Sequence, residues 1–447
     1  MGGGLLQIVA IGEQDSYLIG NPQITFFKIV HRRHTNFSIE AIQQTISGPL
    51  SKNGSKVISK ISKSGDLLSD MWLDVKLPKF NSVFTNLNQN NYFNWCNNTG
   101  HALIKEVELE IGGDIIDRHD DKFLDILNEL SDHDSKENNL INKNKTNVKL
   151  NHNNDILTTN NLQLYIPLKF FFNKYKGLSL PIIALQYHEV ILKFNFRSLY
   201  HLINTDFKES LLNVEKIIKD EDQIELKLFC NYIFLDKDER LRFAQSPHEY
   251  LIEQVQYEKK NLSNKVSLSF NHPVKELIWI CQNNIVSLEK SEGDIDASIN
   301  KTNIESTEYK FNSNDYFNYQ VPINNDTKNY SIKELINNQI SYEPFEKCTI
   351  EFNGSERFSS QKASHFRLIN PLLANHKIPS KHIYCYSFAL KPEEHQPSGT
   401  CNFSRFNNIN MIFENPSSIS NMELYIYAIN YNILRIMSGM CGLVYDS

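Results

Sequence analysis

A two-residue hydrophobic alternation constrains this chain more than any other feature, because it recurs from one end to the other and seldom gives way to a helical period. Runs rich in β-formers lie at 24–46, 67–77, 103–111, 162–172, 186–196 and 224–235. They resume at 250–257, 265–270, 274–281, 347–353, 382–390, 409–413 and 422–436. Clusters of Gly, Pro, Asn and Asp separate them, the pattern of an antiparallel sandwich or barrel. Helical spacing is confined to short pieces, Lys122–Leu130 (KFLDILNEL) and a connecting stretch at Asp238–Gln245. An enzyme built of alternating strands and long helices is poorly supported.

The strands also repeat as a set. Glu108–Asp117 (ELEIGGDIID) and Thr349–Phe358 (TIEFNGSERF) each read as an acidic-apolar strand, a tight Gly turn and a return strand. A proline-bearing stretch and a pair of strands follow each, at Pro181–Phe196 and Pro397–Phe413. Each half closes on a long aromatic-aliphatic strand, Leu226–Leu235 and Met422–Leu434. Two copies of one all-β architecture in tandem are expected, with the boundary in the charged segment Asp236–Glu249. Two Asn-rich stretches interrupt the pattern. Residues 131–161 hold ten Asn in 31 positions, and 283–346 are similarly polar, so both read as exposed loops or insertions.

Composition excludes several roles. The net charge is −6 with no basic tail, whereas a chain coating nucleic acid needs cations in excess, so no direct nucleic-acid contact is expected. Seven cysteines (96, 230, 281, 348, 385, 401, 441) are odd in number and never form CxxC, which points to free buried thiols in a reducing compartment. No secretory signal or membrane-length apolar run is visible. Gly2 lacks the Ser or Thr that myristoylation wants at position 6, which is Leu6. The chain reads as soluble and cytosolic.

Catalytic constellations are not convincing. Phosphate-loop, dinucleotide, HExxH and GxSxG patterns are absent. Asp114, Asp117, His119, Asp120 and Asp121 (DIIDRHDD) could in principle hold a divalent ion. They lack the spacing and central glycine of a calcium loop, and Arg118 and Lys122 neutralise them, so a solvated or salt-bridged turn is the better reading. His31-Arg32-Arg33-His34 falls in an expected strand from Ile24 to Ile39, which sends the two histidines to opposite faces and leaves the arginines for a domain or subunit contact. His365, His376, His382 and His395 have no partner spacing and read as structural. Sequons at Asn36, Asn53, Asn144 and Asn325 are uninformative in so Asn-rich a chain. No catalytic, cofactor-binding or metal-ligating residue is assigned.

One segment carries a sharper signal. Residues 15–38, DSYLIGNPQITFFKIVHRRHTNFS, resemble the opening of the first jelly roll in double-jelly-roll major capsid proteins of nucleocytoplasmic large DNA viruses, the iridovirus, phycodnavirus and mimivirus-like group. WCNNTGHALIKEVELEIGGDIIDRH (95–119), PIIALQYHEVILKFNF (181–196) and FLDKDERLRFAQSPHEYLIEQ (234–254) look like later blocks of the same family. The densest likeness is at HIYCYSFALKPEEHQPSGTCNFSRF (382–406) and YAINYNILRIMSGMCGLVY (427–445).

The resemblance implies two tandem eight-stranded antiparallel jelly rolls. It divides the chain into an N-terminal arm (1–23), a first jelly roll (24–237, insertion 131–161), a linker (238–249) and a second jelly roll (250–447, insertion 283–346). It implies a homotrimer of pseudo-hexagonal outline that tiles an icosahedral shell, assembled in the host cytoplasm, without cofactor or catalysis. Neighbouring capsomers, minor capsid and penton proteins, an inner membrane met by the arm and surface glycans are the partners it suggests. A carbohydrate-binding or glycan-processing sandwich and a minor capsid or scaffold variant of the same fold are the alternatives.

Overall fold

Side chains that alternate between two environments explain most of the architecture. The computed structural model describes residues 3–29, 31–51, 53–78, 93–131, 138–143, 162–205, 224–283, 316–319, 343–416 and 422–445. It divides into two compact units, Met1–Phe37 and Ser38–Ser447.

The first set of strands comprises β1 (Phe37–Gln44), β2 (Ile46–Ser47), β3 (Ser55–Lys60), β4 (Leu67–Leu77), β5 (Phe93–Trp95), β6 (Ile104–Ile111), β7 (Asp114–Asp120), β8 (Leu162–Pro167), β9 (Val190–Phe196), β10 (Ile203–Thr205) and β11 (Glu225–Leu235). They form a four-stranded sheet ordered β1-β11-β4-β8, a five-stranded sheet ordered β2-β3-β9-β6-β7, and the small pair β5-β10. Met71, Leu73, Val75 and Leu77 of β4 meet Val107, Leu109 and Ile111 of β6 and Leu192, Phe194 and Phe196 of β9 in one buried cluster. The intervening Trp72 faces outward and stacks on Phe229, with ring centroids 5.6 Å apart.

The second set is β12 (His248–Asn261), β13 (Lys265–Leu268), β14 (Pro273–Asn283), β15 (Lys347–Phe352), β16 (Ser355–Glu356), β17 (Gln361–Lys362), β18 (Ile383–Ser387), β19 (Cys401–Asn402), β20 (Ile409–Glu414), β21 (Met422–Met437) and β22 (Met440–Leu443). A six-stranded sheet runs β12-β21-β14-β18, with β19 on β14 and β22 on β21. A five-stranded sheet runs β13-β20-β15-β16, with β17 on β15. Neighbours far apart in sequence, β4 beside β11 and β12 beside β21, are paired antiparallel, as Greek-key connections require.

The central strands β21 and β14 of the β12-β21-β14-β18 sheet are buried on both faces along most of their length. On β21, Leu424, Ile426 and Ala428 enter the core of the second set, together with Leu277, Trp279 and Cys281 of β14. The alternate residues Tyr425, Tyr427, Ile429, Leu434 and Ile436, with Ile278, Ile280, Ile383 and Cys385, belong to the core of the first set. This sheet is a shared wall, which is why β21 reads as a nearly unbroken apolar run.

The repeated hairpins have a common turn. Gly112-Gly113 joins β6 to β7 with both φ positive (66° and 100°), and Asn353-Gly354 joins β15 to β16 likewise (50° and 84°). Both fit the type I′ geometry whose twist suits a two-residue hairpin. The turn at Gly112 has no room for a side chain, since a Cβ there would meet the ring of His188 at 2.1 Å.

Several expectations need correcting. The strand expected from Ile24 begins only at Phe37, and residues 31–36 pair with no strand among the described residues. The stretch Pro181–Phe196 supplies a 3-10 turn (Ile182–Ala184) and one strand, β9, where a pair was expected. Parts of the Asn-rich stretches are not exposed. Ile141, Asn142 and Lys143 are buried, and so are Tyr316, Phe317 and Tyr319. The helix Asp121–Leu130 and the linking helix Lys237–Gln245 lie where the periodicity places them, and no residue of the latter is buried.

Candidate functional site

No constellation flagged in the sequence gathers into a reactive centre, and each member is engaged locally. Within the first unit, His34 Nδ1 lies 2.8 Å from the carbonyl of Thr35 in exposed chain, so the two-faced strand arrangement of His31–His34 does not arise. The acidic cluster is split by strand geometry. Asp117 and His119 point inward from β7 and pair with each other, Nε2 to Oδ2 at 2.9 Å. Arg118 points outward, 3.1 Å from Glu106 and also paired with Glu108. Asp120 caps the helix Asp121–Leu130 by accepting from the Phe123 amide at 2.8 Å, and Asp121 takes Arg197 at 3.0 Å. The segment is thus a strand running into a helix start, salt-bridged as expected but not a turn.

What the fold does assemble is a polar seam along the shared wall. Glu253 of β12 receives Lys174 on Oε2 at 2.8 Å and Lys275 on Oε1. Burial alone would raise its carboxyl, but the two ammonium groups hold it down at about 2. The next residues of β12 bind β7 edge-on. The Val255 amide donates to Asp117 Oδ1 at 3.0 Å, and Gln254 Nε2 donates to the Ile116 carbonyl. The Tyr427 hydroxyl donates to Asp120 Oδ2 at 2.8 Å. Burial, with Asp121 adding repulsion, pushes the Asp120 carboxyl up to about 6.

The seam continues beneath the helix Asp121–Leu130. Lys381 lies 2.7 Å from both carboxyl oxygens of Asp125, and the Lys377 amide donates to the Leu130 carbonyl at 2.9 Å. Tyr319 donates its hydroxyl to Asp125 at 2.9 Å, while Arg197 stacks over the Tyr316 ring at 4.1 Å. Within the second set, His376 is gripped between Glu276 (2.7 Å) and Glu393 (2.6 Å). Burial disfavours its charge, yet the two carboxylates raise it to about 10. His382, buried with Glu343 3.9 Å away, is pushed down to about 4 by burial. Sequence reasoning missed these roles because the partners lie far away in sequence.

The first unit offers a second kind of surface. Its short helices Gly3–Val9 and Ser16–Ile19 present Leu5, Leu6, Ile8, Val9 and Leu18 to solvent, and Phe26 and Phe27 are 87% and 98% exposed. Apolar chain so uncovered is the mark of a binding surface.

Tandem sandwiches sharing one wall, with no reactive centre among the described residues, suit a structural protein. The comparisons decide which. The family model "Major capsid protein N-terminus" matches residues 25–236, and "Large eukaryotic DNA virus major capsid protein" matches residues 239–442. The chain belongs to the major capsid proteins of large eukaryotic DNA viruses. It is 37% identical over 489 residues to the major capsid protein of Paramecium bursaria Chlorella virus 1, and 36% over 476 residues to that of Pyramimonas orientalis virus, each alignment covering the whole of both chains. The quasi-atomic model of the PBCV-1 virus capsid superposes with a TM-score of 0.71 at 32% identity, covering 95% of this chain and 100% of that one. The Faustovirus major capsid protein, 13% identical, shares the fold at a TM-score of 0.66 over 93% of each chain. The double-jelly-roll fold and the structural, non-enzymatic role of this capsid protein follow from these relatives, and the carbohydrate-binding alternative falls away.

Proposed function

We propose that three copies of this capsid protein close a cyclic trimer of pseudo-hexagonal outline, the tile from which the virion shell is laid. The observation that carries the reading is the shared wall. Because β21 and β14 serve both cores, the two sandwiches cannot turn independently, and a rigid pair of barrels is what threefold symmetry needs to approximate a hexagon. We divide the chain as an arm (1–23), jelly rolls of eight strands at 24–237 and 250–447, and a linker (238–249). The exposed apolar arm would meet minor capsid proteins or an internal membrane, and glycans could be carried on the outer surface. Host cytoplasm is the expected place of assembly.

An obligate trimer seam of this kind buries on the order of 2,000–5,000 Å². Light-scattering mass of the purified chain, followed by negative-stain imaging of the same peak, tests the proposal. Three times 51.9 kDa with a hexagonal outline is expected. A stable monomer would overturn it.

A further inference from the structure

One contact across the seam brings an amine and a carboxyl face to face in an environment that favours more than an ion pair. Asp125 is fully buried on the helix Asp121–Leu130, and Lys381 Nζ lies 2.7 Å from each of its carboxyl oxygens. That geometry sets the amine about 3 Å from Cγ, the separation of a near-attack pair. Two neutral donors already rest on the carboxyl, Asn98 Nδ2 on Oδ1 at 2.8 Å and the Tyr319 hydroxyl on Oδ2 at 2.9 Å. A second carboxylate, Glu129, holds Oε1 3.8 Å from the same amine. It is fixed by Lys143 at 2.9 Å and by the Ser380 hydroxyl at 2.9 Å. The rings of Phe317 and Tyr319 flank Nζ at 5.2 and 5.6 Å and keep water from that side.

We propose that Lys381 and Asp125 condense into an intramolecular isopeptide bond that closes the chain covalently across its two jelly rolls. Proton transfer within the pair converts ammonium and carboxylate into amine and carboxylic acid. Rotation about the Asp125 Cβ–Cγ bond then presents the face of the carboxyl, and the Nζ lone pair forms a bond to Cγ. Asn98 and Tyr319 stabilise the negative charge that develops on oxygen. Glu129 takes a proton from the nitrogen and passes it to the departing hydroxyl, which leaves as water. Three hydrogens begin on nitrogen, one stays on the amide and two depart, so no outside reagent is consumed. Burial, although opposed by Lys381, raises the Asp125 carboxyl, which favours the acid form the step needs. The buried Lys275–Glu253 pair of the seam is unsuited, because Glu253 is shared between two ammonium groups and stays ionised.

The bond would span 256 positions of sequence, and its readout is mass. The folded full-length chain, purified and then fully denatured, is expected to weigh one water less than its sequence dictates. Proteolysis should yield a branched peptide joining the segments that carry Asp125 and Lys381. Lys381→Arg keeps the charge but should show the full mass and migrate more slowly on a denaturing gel. Asp125→Asn should lose ammonia in place of water, a change that a purely structural role would not produce. A folded wild-type chain at the full sequence mass, with no branched peptide, would mean an ion pair only and would overturn the proposal.

Discussion

With one ammonium on each oxygen, Glu253 cannot be neutralised without stranding Lys174 and Lys275, which is why its substitution should be severe. Glu253→Ala is expected to cost about 3–5 kcal/mol in urea unfolding, the usual consequence of leaving buried charge unpaired. Titration adds a pH profile. Glu253 sits at about 2, below its ordinary 4.5, so its contribution is complete above 4.5 and fades as pH falls toward 2. His376, raised to about 10 from 6.5, contributes fully below 6.5 and is lost as pH climbs to 10. Asp120 is raised to about 6 from 3.8, so its ionisation costs stability above 6, and that cost disappears as pH drops toward 3.8. Stability should therefore peak between about 3.8 and 4.5, where the gain from Glu253 is nearly complete and the cost from Asp120 has only begun, and decline above that. Denaturation midpoints across this range test it. His376→Gln should flatten the alkaline limb, and Asp120→Asn should remove the rise on acidification below 6. None of these partners was legible in the sequence. Glu276 and His376 are 100 positions apart, and nothing local in either segment announces the other.

At the scale of elements, turns and strands were the most legible level because their causes are local. Gly112-Gly113 and Asn353-Gly354 supply positive φ at two successive positions, and the hairpins formed where expected. Gly112→Ala is expected to unseat His188, whose Nδ1 lies 3.1 Å from the Cys441 amide, and so loosen the β22 hairpin. Faster amide exchange confined to residues 438–443 would show it. Strand propensity misled at 24–36 because β-formers make a strand only when another edge accepts their hydrogen bonds. Polarity misled at Tyr316–Tyr319, read as part of an exposed Asn-rich insertion, where isolated aromatics are the anchors that reach the first jelly roll. The shared wall predicts two separable effects along one strand. Leu424→Ala should open a cavity in the second core and Ile429→Ala in the first, each costing about 2–5 kcal/mol. Tyr427→Phe, which removes only the hydroxyl on Asp120, should cost about 1 kcal/mol. Equilibrium unfolding of the three variants ranks them.

For the molecule as a whole, the arm and the two-barrel body make different demands. Removing residues 1–23 is expected to leave the thermal midpoint of the body unchanged, since Ser38–Ser447 is compact by itself. It should also reduce the tendency to self-associate that exposed Leu5, Leu6, Ile8 and Val9 confer. Calorimetry and sedimentation velocity separate the two effects. The shared wall has a further consequence in the order of synthesis. The first core is completed by Tyr425, Tyr427, Ile429, Leu434 and Ile436, which leave the ribosome only after β12 to β20 have been made. Until then the first jelly roll waits with one flank bare. A nascent chain in that condition is a substrate for chaperones.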